Sequence, residues 1–452
     1  MSESLGLTEC VSMALGGMIG GGIYAVLGVV TQVTGAATWF AFLLAGVVAA
    51  CAGYAYVTLN RLSGSQGGSV TFVQSFTGNT TLAGMTGWTL LIGYVGSMAM
   101  YAYAFAEFAL ALPRVPDGVA GLPLRPVVSV LAVAGFVGLN LLGARTTGAA
   151  ENVLVGLKVG ILLLFGVGGV AYVTLAAPRP ANYGLERITS ASPLMAAGVS
   201  FVAFQGWQLL FYDQTRIDDA ADTIRTAVYV SLPVAVLVYA LVAVATFNLA
   251  PAAVQSHPHT ALKDAARRML SPVGLGALGA VAISLSALFS TGSAINATLF
   301  STGHFAKGLL SKDLLPDRVG DGDADGLPTR TILGTGAVTA AFAVYGSLEA
   351  ITSFASIAFI VVFGGMSYLA LRNRDQEAVD PIPPAVGLLG AAGFLPLMLW
   401  HLYRQSPETF GMVWVLAVVV VGVELLYFER ETLEEEVVPV DADRIEEVEL
   451  SP

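Results

Sequence analysis

Polar and apolar positions in this chain do not alternate; they separate into long apolar runs divided by short charged punctuation. Cys10 to Asn60 holds 51 residues without an Asp, Glu, Lys or Arg, and Leu62 to Ala106 holds another 45. One bilayer crossing takes about 20 apolar residues, so each run crosses twice or nearly so. Further charge-free stretches follow at 126–144, 159–178, 188–212, 226–262, 269–306, 331–348, 350–371, 381–403 and 409–423. In lipid the backbone must close its own hydrogen bonds, which makes each run a helix. The pattern predicts an all-α integral membrane protein with transmembrane helices near 7–31, 37–59, 80–112, 126–142, 151–175, 194–214, 226–247, 273–302, 331–346, 350–371, 383–402 and 409–428.

Composition agrees. Of 452 residues, 55% are hydrophobic and 12% charged, against roughly 25% charged in a soluble domain. A soluble enzyme, a nucleic-acid binder and a single-anchor receptor are excluded, because little lies outside the bilayer. The start MSESLGLTEC lacks a positive n-region, so no cleavable signal peptide is expected. Cys10 and Cys51 sit in apolar surroundings and read as small packing residues.

The net charge of −11 is localised: residues 429–452 carry ten acids and two arginines, predicting a disordered acidic cytoplasmic tail. Four Lys stand against 17 Arg, and the loops favour Asp, a balance suited to a high-salt cytoplasm of the haloarchaeal kind. With both termini cytoplasmic, twelve basic residues lie inside and eight outside, the orientation expected in a cell membrane. Two connections are long. Residues 248–272 are expected to form a short amphipathic helix between Pro258 and Pro272, and 303–330 the longest internal loop. His257 and His259 in the former read as a solvated pair more than as metal ligands, since no further Cys or His is near.

Two spans contain helix breakers. Leu15-Gly16-Gly17-Met18-Ile19-Gly20-Gly21-Gly22-Ile23-Tyr24 has five glycines in seven positions, each costing about 1 kcal/mol against Ala in a helix. Close packing of small residues explains one or two; five together favour an unwound segment lining a cavity. In the sixth span, Ser200-Phe201-Val202-Ala203-Phe204-Gln205-Gly206-Trp207 places an amide and a glycine in an apolar helix. Interrupted helices at corresponding places in two halves point to a secondary transporter's midplane site.

These elements resemble the amino acid, polyamine and organocation (APC) superfamily of transporters: GGMIGGGIY in span one, SGSQGGSVTFVQSFTG after span two, GLNLLGART into ENVLVGLKVGILLLF, FVAFQGW, and SALFSTGSAINATLFSTGHFAKGLLSKDLLP. The resemblance, nearest to prokaryotic proton-coupled amino acid transporters, implies a LeuT-type 5+5 inverted repeat with broken helices 1 and 6. It divides the chain into a first repeat at 1–175, a second at 194–371, two peripheral helices at 383–428 and the tail at 429–452. Two departures bear on the inner gate and substrate preference: Trp207-Gln208 stands where relatives often have Phe-Glu, and Asp213-Gln214-Thr215-Arg216-Ile217-Asp218-Asp219 replaces the usual Glu-Asn-Pro loop.

Lys158 lies seven residues into the fifth span and is the sole lysine in any predicted span. An intramembrane ionisable residue is a functional hypothesis by default; the alternative is a lysine snorkelling to the interface. The resemblance implies proton coupling, with the amine of Lys158 at a sodium position of related carriers, beside the Gly16 carbonyl and the Ser290 and Ser293 hydroxyls. It further implies that a substrate α-carboxylate docks on amides around Met18, Ile19, Gly20, Gly21 and Gly22, and an α-amine on carbonyls near Phe201, Ala203 and Phe204. Glu107 lies near a span end, so no charged partner for a substrate side chain is evident and a neutral or hydrophobic amino acid is expected. The functional expectation is amino acid import by proton symport, with an exchanger or a polyamine carrier as alternatives and a non-transporting sensor behind them. No cofactor is expected, and no GxxxxGK[ST] nucleotide loop occurs.

Overall fold

The computed structural model describes residues 5–428 except 65–66, 117, 120, 143–147, 178, 213, 311–328 and 378. The acidic tail and Asp213 therefore lie outside the described residues. Five helices carry the first five expected spans: α1 (Leu7–Thr34), α2 (Thr38–Ser63), α4 (Thr80–Leu110), α5 (Leu124–Leu141) and α6 (Gly148–Leu175), with a short α3 (Ser69–Thr77) between α2 and α4. The sixth span begins as α7 (Ser192–Ser200). Then come α8 (Ala220–Leu249), α9 (Pro251–Ser256), α10 (Ala261–Leu270), α11 (Gly276–Leu310), α12 (Thr329–Tyr345), α13 (Leu348–Arg372), α14 (Ile382–Gln405) and α15 (Pro407–Phe428). Among the described residues eight stretches are long and apolar enough to cross a membrane, the first, Leu7–Ser63, holding both α1 and α2. The broken sixth span, the 17-residue α12 and α15 complete the expected series.

Polar caps set two helix starts: Asn79 Oδ1 accepts from Leu82 N–H at 2.8 Å before α4, and Ser347 Oγ from Ala350 N–H at 3.1 Å before α13. The amphipathic helix expected between Pro258 and Pro272 is α10, which buries Ala261, Leu262, Ala265 and Ala266 and exposes Arg267 and Arg268. The loop expected at 303–330 starts later than its boundaries suggested. Phe305, Ala306, Leu309 and Leu310 keep a helical apolar face and carry α11 on to Leu310; residues 311–328 lie outside the described residues.

The core lies where α1 packs against α6, α7, α8 and α11. Here one expectation is corrected: α1 is continuous from Leu7 to Thr34, with no unwound segment at its glycines. The glycines instead permit close contact. A Cβ on Gly17 would stand 2.8 Å from Gly206 Cα, one on Gly20 would stand 2.6 Å from Ala294 Cβ, and one on Gly21 would enter the Tyr101 ring. Packing at these small faces offsets the glycines' low helix propensity, the same physics that joins transmembrane helices through small residues. The sixth span is broken as expected. After Ser200 the chain tightens into 3₁₀ turns at Phe201–Phe204 and Trp207–Tyr212, separated by an extended Gln205 (φ −86°, ψ 157°) and by Gly206. Gly206 has φ +126°, a conformation that a side chain rarely tolerates.

Candidate functional site

Lys158 is buried at 4% exposure, on the face of α6 turned toward α1, and its Nζ donates to the Gly16 carbonyl at 3.3 Å. Snorkelling to the interface is thereby set aside in this conformation. Ser290, fully buried on α11, donates to the Ile19 carbonyl at 3.1 Å, and Ser293 lies half-buried one turn further along. Carbonyls Gly16 and Ile19 of α1 are thus held by a lysine on one flank and a serine on the other. Nearer the start of α1, Asn152 Nδ2 donates to Glu9 Oε1 at 3.0 Å, a second polar tie between α1 and α6.

The break in the sixth span leaves backbone groups without helical partners, and side chains take them up. Ser356 on α13 donates to the Val199 carbonyl at 2.7 Å and accepts from Val202 N–H at 3.1 Å. The Tyr239 hydroxyl on α8 donates toward two carbonyls, Met18 at 2.6 Å and Ala203 at 2.9 Å, tying α1 to the broken span. Trp207 Nε1 donates to the Phe204 carbonyl at 2.8 Å. Beside it lies a buried uncharged network: Gln205 Nε2 donates to the Tyr101 hydroxyl, and Gln208 Nε2 reaches Gln205 Oε1 at 3.3 Å and the Tyr94 hydroxyl at 3.4 Å.

Contacts close over this centre from both ends. At the start of α1, Leu5 N–H donates to the Arg216 carbonyl at 2.7 Å and Asp218 N–H to the Leu5 carbonyl at 3.0 Å, while Arg61 pairs with Asp222 at 3.0 Å. Between these contacts and the break lies an aromatic layer, in which Tyr56 and Trp207 meet edge-on at 5.0 Å and Trp207 and Phe363 at 5.1 Å. At the other end the Pro258 carbonyl presses on Gly28, and His259 meets the Tyr103 ring at 5.7 Å. Arg125 lies 4.1 Å from the same ring's centroid, and burial, with Arg125 as a lesser cause, holds the His259 imidazole below its ordinary pKa.

Met18, Ile19, Gly20, Gly21, Gly22, Phe201, Ala203 and Phe204 are all buried and converge on one another: a Cβ on Gly22 would meet Ala203 at 3.0 Å. Because α1 is continuous, the amides of 18–22 belong to its own hydrogen-bond ladder. Reading the chain for glycines and charges missed Tyr94, Tyr101, Tyr239 and Ser356, and noted Gln205 and Gln208 without a partner for either. Their signal was polar atoms inside otherwise apolar runs, which stay buried only when hydrogen-bonded. Glu107 lies three residues before the end of α4, near Tyr103 and Arg125.

A helical membrane protein whose broken span packs on the same helix that an intramembrane lysine holds has the construction of a carrier. A sequence model of the amino acid permease family matches residues 5–423, and the chain belongs to that family, within the APC superfamily of transporters. It is 28% identical over 428 residues to the inner membrane transport protein YbaT of Escherichia coli strain K12, covering 92% of this chain and 94% of that one. It is 24% identical to the branched-chain amino acid permease BcaP of Lactococcus lactis, covering 92% of each. Similarity to the methylthioribose transporter of Bacillus subtilis is 23%, over 95% of this chain and 93% of that one. The chain is a transporter and not an enzyme.

Proposed function

We propose that this transporter imports a neutral or hydrophobic amino acid by proton symport with alternating access, from a cell membrane with both termini cytoplasmic. The observation that carries the coupling is the buried Lys158 amine on the Gly16 carbonyl. A protonated amine there holds α6 against α1, and an amine that gives up its proton makes a weaker bond and releases α1, so that movement of the gate is tied to one proton. Ser290 and Ser293 complete the α11 side of this position. Residues 1–175 and 194–371 serve as the two repeats that rock about the centre.

The substrate lies between Met18–Gly22 and Phe201–Phe204, with its amine toward the Met18 and Ala203 carbonyls that one Tyr239 hydroxyl proton cannot satisfy together. Capture of a carboxylate by the amides of 18–22 requires α1 to open locally, which the glycines make inexpensive. The test is uptake by proteoliposomes offered a panel of labelled amino acids. An inward proton gradient at constant sodium should drive accumulation; accumulation on a sodium gradient alone, in proton-tight vesicles at equal pH, overturns the coupling. A second reading, exchange or carriage of another small organic molecule, is favoured by the methylthioribose relative. Counterflow without net accumulation would support it.

A further inference from the structure

Three of the side chains that satisfy the broken span come from firmly held positions: Ser356 and Tyr239 are buried on neighbouring helices, and the Trp207 indole is wedged between Tyr56 and Phe363. The fourth differs in kind. Gly206 N–H donates to Gln208 Oε1 at 2.6 Å, only two residues along the chain. The nitrogen end of that amide is held loosely, by contacts of 3.3 Å to Gln205 and 3.4 Å to Tyr94. Gln208 is fully buried, so its oxygen meets no water that could take the place of Gly206. Gly206 itself lies against the part of α1 proposed to frame the substrate: a Cβ on it would stand 2.7 Å from Gly17 Cα and 3.0 Å from Met18 N.

We propose that Gln208 is a specificity-determining residue of the transport site, whose amide oxygen covers the Gly206 N–H and yields it to a substrate carboxylate. The inference rests on the amino acid reading above and adds the group that selects for the carboxylate. The chemistry is a competition for one donor. A carboxylate on a backbone N–H makes a charge-assisted bond about twice as strong as an amide oxygen does, so the exchange favours it. A hydroxyl or another neutral acceptor gains nothing by replacing the amide, and an amine without a carboxylate has nothing to offer Gly206. The displaced oxygen needs another donor, and the Tyr94 hydroxyl, 3.4 Å from the nitrogen of the same amide, is near enough to supply one when the amide turns. Selection thus comes from an internal competitor that only an anionic acceptor outbids.

The experiment uses the purified full chain. The twenty amino acids are screened first, and the tightest binder is then titrated beside its decarboxylated amine into wild type, Gln208→Met and Gln208→Glu. Methionine keeps the volume but has no acceptor oxygen, so the amino acid should bind about tenfold tighter, the worth of one neutral hydrogen bond no longer displaced. The amine's affinity should not change. Glutamate holds Gly206 with a charge and repels the incoming carboxylate, so the amino acid should bind at least about tenfold more weakly. Equal weakening of amino acid and amine in Gln208→Met, or an amino acid affinity unmoved in both variants, overturns the inference, and melting temperatures on the same samples identify a variant that has misfolded. If one variant misfolds, the other decides alone. A wild-type protein that binds no amino acid removes the transport reading and this inference with it, whereas normal wild-type binding with unresponsive variants removes this inference alone.

Discussion

The Lys158 amine and the Gly16 carbonyl, 3.3 Å apart, join α6 to α1 at a depth where few charges are tolerated. The bond sits one residue before Gly17, which crosses Gly206 so tightly that a Cβ on it would stand 2.8 Å from the Gly206 Cα. A change at the amine therefore acts on the helix that forms one wall of the centre. The Ser290 bond to Ile19 fixes the same stretch of α1 from the α11 side.

Replacing Lys158 by Ala should leave a folded protein that binds substrate but no longer accumulates it against a gradient. Arginine should fail as well, because its guanidinium stays protonated in proteins. Concentrative uptake by Lys158→Ala at the wild-type level would remove the lysine from the coupling mechanism.

Gly21 lies beneath the Tyr101 ring, and a Cβ there collides with it. Gly21→Val should destabilise the protein by roughly 1–3 kcal/mol, the usual range for overpacking, and disturb the Gln205–Tyr101 bond. Thermal unfolding followed on the detergent-solubilised protein reads the first effect. An unchanged melting temperature would mean that α1 opens at this point and leaves the ring.

Ser356→Ala should cost more than the loss of one hydroxyl suggests. It strips partners from both Val199 C=O and Val202 N–H at the break, each unsatisfied buried group costing about 1–3 kcal/mol. Thermal stability and transport should fall together, and Ser356→Thr should restore much of both. Full stability in the alanine variant would show that water or a neighbour replaces the serine.

The His259 contact predicts a pH dependence with a definite sign. Its imidazole titrates lower in the folded protein than in the unfolded chain because burial disfavours the cation and Arg125 repels it. The stability contributed by neutral His259 is therefore complete above the ordinary histidine value of about 6.5 and is lost as pH falls through the lowered folded value. Acidification should lower the melting temperature of wild type more than that of His259→Gln. Parallel pH profiles would place the sensitivity elsewhere.

The number and nearly all the places of the long helices were legible in the sequence, because lipid excludes charge and every charge-free run of sufficient length has one stable backbone form. Lys158 and the glycine cluster were legible for the same reason: each is costly unless something compensates, so each marks a place where something does. What compensates was not legible. Five glycines in seven residues fit an unwound strand of backbone as well as a helix packed at close range. The choice fell to Tyr101, Ala294 and Gly206, which approach from parts of the chain far from span one and fill the space that side chains would have taken. Likewise Ser356 and Tyr239 lie in helices whose sequences read as plain spans, and only the fold brings their hydroxyls to the open backbone of the sixth. Local sequence determined where the helix is weak; long-range packing decided which weak place broke, since a break survives in the interior only where distant side chains meet its hydrogen bonds.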